Sequence, residues 1–171
     1  MKVLAILLLM FSVNAIAESN EITITRTSPE VECLAKNIYF EARGEPPIGQ
    51  IAIINVTLNR VASDKFPDTI CDVVKQARHS KWWKEHHNRE VPVRNRCQFS
   101  WYCDGLPDEP QDLEAYEEAH TLARAVSYSG FRMVDITNGA LHYHAVYVNP
   151  YWAEHMTVTR TIGKHVFYAS R

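Results

Sequence analysis

Glycine is scarce in this 171-residue sequence, with 6 residues, and proline stops at 8, so neither a collagen-like nor a Pro/Gly-rich disordered composition fits. The chain should fold. No internal repeat or low-complexity tract occurs, and no apolar run reaches the roughly 18 to 20 residues that cross a bilayer, so no permanent membrane span is expected. Neither sign of charge dominates: 18 Lys and Arg stand against 20 Asp and Glu, a net −2 that excludes a dedicated nucleic-acid binder. Two metal signatures are also missing, the close Cys-x-x-Cys pair and His-Glu-x-x-His.

What is present begins with Lys2 before the apolar run Val3 to Val13, followed by Ala15-Ile16-Ala17, the small-x-small pattern of an export signal. Cleavage is expected after Ala17. Residues 1–17 are read as the signal, 18–28 as a polar leader and 29–171 as a single catalytic domain, expected to be a monomer. Losing Lys2 leaves 17 basic and 20 acidic residues, a net −3. Cys33, Cys71, Cys97 and Cys103 form an even set in an exported chain, which points to disulfides in the periplasm, envelope or extracellular space. Three pairings exist. Cys97 with Cys103 closes a small loop and leaves Cys33 with Cys71, the favoured arrangement; the rivals are zinc, which lacks its close Cys-x-x-Cys spacing, and a reactive thiol, which fits poorly with an oxidising compartment.

Ser28-Pro29-Glu30 supplies a cap, a first-turn proline and a first-turn acid, and Val31, Leu34, Ala35, Ile38, Tyr39 and Ala42 follow at helical spacing. On that helix Glu41 falls beside Leu34, at the border of the apolar stripe. After Gly44 and Pro46-Pro47, residues 48–62 are expected to form a second helix, apolar almost all round and central, with Asn55 and Asn59 one turn apart and in need of partners, either in a packing network or along a polar cleft. A short helix is expected from Phe66-Pro67-Asp68 to Val74. A long one should open at Pro110 and close at Gly130.

Residues 75–96 differ in texture, with seven basic residues, two acids, three histidines and Trp82-Trp83. A solvated, partly mobile loop is the main expectation, with a groove rim for an anionic polymer beside it. Farther on, Asn138-Gly139 signals a turn, Leu141 to Val148 alternates as a strand, and 157–162 and 165–168 read as two strands around Gly163-Lys164. The class is α+β, helices first with a small late antiparallel sheet.

Phe40-Glu41-Ala42-Arg43-Gly44-Glu45-Pro46, Gly49-Gln50, Leu58-Asn59-Arg60-Val61 and Cys71-Asp72-Val73-Val74 resemble, in order and spacing, the cell-wall hydrolase family of the spore-cortex-lytic enzymes SleB and CwlJ. Cys97-Gln98-Phe99-Ser100-Trp101-Tyr102-Cys103, His142-Tyr143-His144-Ala145 and Ile162-Gly163-Lys164-His165 look like the versions in Gram-negative or phage members. The resemblance implies a lysozyme or lytic-transglycosylase-like fold that cleaves peptidoglycan between N-acetylmuramic acid and N-acetylglucosamine, with no cofactor. Glu41 matches the catalytic position. Gln98, Ser100 and Tyr102, with Phe99 or Trp101, are expected along the glycan cleft; Glu45, Gln50 and Asn59 are weaker candidates, and Arg43 with Glu45 is read as an ion pair.

One convincing acid favours lytic transglycosylation, whereas lysozyme-type hydrolysis needs a second carboxylate, for which Asp104 and Glu45 are the candidates. Asp104, between Cys103 and Gly105, reads better as a turn former. His142 and His144 on one strand face, with His155 or His165, could form part of a metal site, but the expectation is no metal and two structural imidazoles.

Overall fold

Ser28 caps the first helix, α1 (Pro29–Ala42), by accepting a hydrogen bond from the Glu30 backbone N–H at 3.2 Å. The apolar stripe read from spacing is the buried one: Val31, Leu34, Ala35, Ile38 and Tyr39 are all sealed. The computed structural model describes residues 28–128 and 133–170. The expected export signal, leader residues 18–27 and Gly130 lie outside the described residues.

Helix α2 (Pro47–Val61) starts one turn after α1 ends, and α3 (Ile70–Val74) packs against both. The long helix α5 (Leu113–Tyr128) lies along α1, where Ala119 and Ala123 let the two backbones approach around Leu34, Ile38 and Ile54. The central helix is therefore α1, which meets α2, α3 and α5, and not α2 as hydrophobicity alone suggests. Ile48 at the start of α2 is half exposed. Two helix starts also move. Thr69 and not Phe66 caps α3, accepting from the Asp72 N–H, and α5 begins after Asp112, whose carboxylate accepts from the Ala115 N–H. In both cases the residue with a capping side chain outweighs an earlier proline.

The basic segment is ordered, contrary to the loop expected: strands β1 (Ala77–His79) and β2 (Pro92–Cys97) pair antiparallel around α4 (Lys81–His87). Ser80 caps α4 and Asn88, in the left-handed region, closes it. Backbone pairing and caps supply this order, so no apolar period announces it. Chain-terminal strands β3 (His142–Ala145), β4 (Thr157–Ile162) and β5 (His165–Ala169) form a sheet in the order β3-β5-β4. Strand β3 is shorter than the alternation suggests, because the chain turns after Ala145.

Register decides what the sheet presents. Tyr143 lies opposite Phe167 and Ala145 opposite His165, so Tyr143, His165 and Phe167 share one face, and fully buried Phe167 anchors it on Ala52, Ile53 and Val56 of α2. The end of α1 meets this face. Both disulfides take the favoured pairing: Cys33–Cys71 ties α1 to α3, and Cys97–Cys103 closes the loop after β2. Glu30 strengthens the first junction by accepting from the Ile70 and Cys71 N–H groups.

Candidate active site

A cleft of about 370 Å³ opens where the last turn of α1, the end of α2, the Cys97–Cys103 loop and the sheet converge. Glu41 and Phe40 come from α1, Arg60 from α2, Gln98 and Ser100 from the loop, and Tyr143 and His165 from the sheet. Among the described residues that line it, Glu41 is the sole carboxylate. Its Oε2 accepts a 2.8 Å hydrogen bond from the Tyr143 hydroxyl, and Oε1 has no hydrogen-bond partner among the described residues. Burial holds the carboxyl above its ordinary value of 4.5, outweighing the Tyr143 hydroxyl and the Arg60 charge, which favour the ionised form.

Arg60 is buried, donates from Nε to the Leu141 carbonyl at 2.8 Å, and lies between the Phe66 and Phe99 rings. Nη1 of Arg60 and Nδ1 of His165 are buried without a partner among the described residues. A fixed cation and a phenol thus stand beside Glu41, and both favour its ionised form. The Tyr143 phenol is held far above its ordinary value, by burial first and then by Glu41, and stays neutral.

The sequence assigns no place in the cleft to Arg60 or Tyr143, and it offers His165 only as a possible metal ligand. Arg60 did carry a signal, since a charged residue inside an otherwise apolar helix needs a partner when buried. Tyr143 and His165 carried none, because the strand register that joins them to Glu41 is a long-range property.

The other candidates spread out. Gln98 and Ser100 line the cleft, as does Trp101, which stacks on Phe40 at 4.7 Å between centroids and donates to Asn37. Tyr102 packs behind Trp101 against the core and does not line the cleft, and Phe99 is buried. Gln50, on α2, is not among the lining residues. Asn59 bonds the Ala140 carbonyl, Asp135 and Thr137, and Asn55 accepts from the Ile136 N–H, so the two amides brace residues 133–140.

Arg43 and Glu45 do not pair. Once α1 stops at Ala42, Arg43 folds back to donate to the Tyr39 hydroxyl at 2.7 Å, and Glu45 reaches across to accept from the Lys164 N–H at 3.1 Å. Gly163, at φ +56°, makes room for it: a Cβ there would sit 1.9 Å from Glu45 Oε2. Asp104 accepts from the Leu106 N–H at 2.7 Å, an Asx turn closing its own loop.

His144 has both ring nitrogens engaged. Nδ1 meets the Ala145 carbonyl, which can only accept, so Nδ1 carries the proton and Nε2 accepts from the Tyr168 hydroxyl. His142 touches the Phe66 and Trp152 rings. His144→Ala should therefore lower thermal stability, by about 1–3 kcal/mol for the hydroxyl left unpaired. EDTA should leave activity unchanged; loss with chelator and recovery with zinc would contradict this.

The sequence pattern of the cell wall hydrolase family matches residues 44–168, starting just after Glu41. Spore cortex-lytic enzymes of Bacillus cereus and Bacillus subtilis are 43% identical over 49 residues and 47% identical over 45, covering 29% and 26% of this chain. These stretches span only 19% and 15% of those relatives' lengths. The crystal structure of the catalytic domain of the Bacillus cereus SleB protein is similar with a TM-score of 0.50 at 26% identity, covering 82% of this chain and 89% of that one. The catalytic domain of the germination-specific lytic transglycosylase SleB from Bacillus anthracis gives 0.51 at 26% identity, covering 85% and 98%.

Proposed function

Because the chain belongs to the cell wall hydrolase family, we propose that its cleft cuts peptidoglycan glycan strands between N-acetylmuramic acid and N-acetylglucosamine by lytic transglycosylation. The carrying observation is a single carboxyl group, Glu41, which burial keeps protonated at higher pH than usual. Glu41 first gives its proton to the glycosidic oxygen as the bond to the muramic C1 breaks. The resulting carboxylate, stabilised by Tyr143 and Arg60, takes the proton of the muramic C6 hydroxyl while that oxygen closes on C1. Glu41 ends protonated, and no water enters the product.

Hydrolysis would require a second carboxylate facing the first across the bond, roughly 5 to 9.5 Å away. Asp104 and Glu45 are each committed to a backbone N–H outside the lining. Gln98 and Ser100 are left to hold sugar hydroxyl or N-acetyl groups. This reading places the protein in the cell envelope, where two disulfides persist; among the described residues no helix is long and apolar enough to cross a membrane.

Digestion of purified sacculi tests the reaction class: disaccharide-peptides with 1,6-anhydro ends are expected, and freed peptide stems with intact glycan would refute it. Acidity gives a second test. The alkaline limb of kcat follows the proton on Glu41, so activity falls as pH rises through its raised pKa. Tyr143→Phe removes the hydroxyl that favours the carboxylate, so this limb should move to higher pH while turnover drops. A shift to lower pH would contradict the assigned role of Tyr143.

A further inference from the structure

The arm from β1 through α4 to β2 is absent from the Glu41 chemistry and is built unlike the rest of the chain. Residues 75–96 carry seven cations and two acids, a local +5 in a chain of net −2. All seven cations are exposed, and among the described residues only Lys84 has an acidic ion-pair partner, Glu90. Helix α4 buries none of its residues, yet holds Trp82 more than half exposed beside Trp83, His86 and His87. Among the described residues its strands pair only with each other. Such a concentration of like charge around an indole repels itself and contributes nothing to the core.

From this charge and its placement we infer that the arm is a second binding surface for the substrate polymer, engaging the carboxylates of peptide stems and a sugar face beyond the cleaved bond. The inference rests on the wall-cleaving reading above. Continuity supports it: β2 runs without a break into Cys97 and Gln98, and the Cys97–Cys103 disulfide fixes the end of the arm to the loop lining the cleft. A polymer lying in the cleft can thus continue along the arm. Charge complementarity selects an anionic partner, and Trp82 suits packing on a pyranose ring. An anionic membrane fits less well, because α4 presents no aliphatic side chain to insert among acyl chains.

The test combines Arg78→Gln, Lys81→Gln, Arg89→Gln and Trp82→Ala in the full chain. Sedimentation with purified sacculi measures binding, and turnover of a short, peptide-free glycan measures chemistry. Binding should weaken on the order of tenfold at low salt and by less at high salt, where the charges are screened and only the loss of Trp82 remains, and turnover of the short glycan should stay unchanged. Unchanged sacculus binding, equal losses at both salt concentrations, or binding to anionic phosphatidylglycerol vesicles but not sacculi would each overturn the proposal. A wild-type protein that binds sacculi through the arm without cutting them would sink the cleavage reading and leave the arm standing.

Discussion

Glu41→Gln is expected to fold, bind sacculi and lose activity by a factor on the order of 10² to 10⁴, the contribution of a positioned general acid. The amide keeps the shape and can still accept from Tyr143 but has no proton to transfer. Its stability should move the other way. Burial raises the folded pKa of Glu41 above its ordinary value of 4.5, so the carboxyl's contribution is complete below 4.5 and is lost as pH rises through the folded value. The melting temperature of Glu41→Gln should therefore gain on the wild type as pH climbs through that window. An active variant, or one whose melting temperature falls behind the wild type with rising pH, would count against a buried, proton-holding Glu41.

Removing Cys33–Cys71 should have the largest effect on stability. The bridge closes a separation of 38 residues, for which loop entropy predicts a cost of about 4 kcal/mol. It also joins α1, which carries Glu41, to α3. Cys97–Cys103 spans only 6 positions and should contribute about 2 kcal/mol, but it shapes the loop bearing Gln98 and Ser100. Cys33→Ala with Cys71→Ala should thus lower the melting temperature by more than Cys97→Ala with Cys103→Ala, while the second pair costs more kcat/KM per degree lost. Thermal melts and kinetics on both double variants check this ordering.

The position of Glu41 was legible because helix periodicity is local: the 3.6-residue spacing of Val31, Leu34 and Ile38 sets where the carboxylate falls on α1. The late strands were legible for a similar reason, from alternation and the Gly163-Lys164 turn. Missed features depend on partners distant in sequence. Tyr143 reaches Glu41 through its register against Phe167, and Glu45 finds Lys164 in place of its neighbour Arg43. The basic arm was misread because caps and strand pairing order it without burying an apolar face. Asn55 and Asn59 fulfilled the expectation that amides in apolar surroundings find partners, yet only the fold showed which ones.

Solvent oxygen tests the central claim most directly. When sacculi are digested in ¹⁸O-water, attack by the C6 hydroxyl leaves a 1,6-anhydro product without label, and this is the predicted mass spectrum. A reducing muramic end carrying one ¹⁸O would mean that water attacks C1, which contradicts a mechanism run by Glu41 alone.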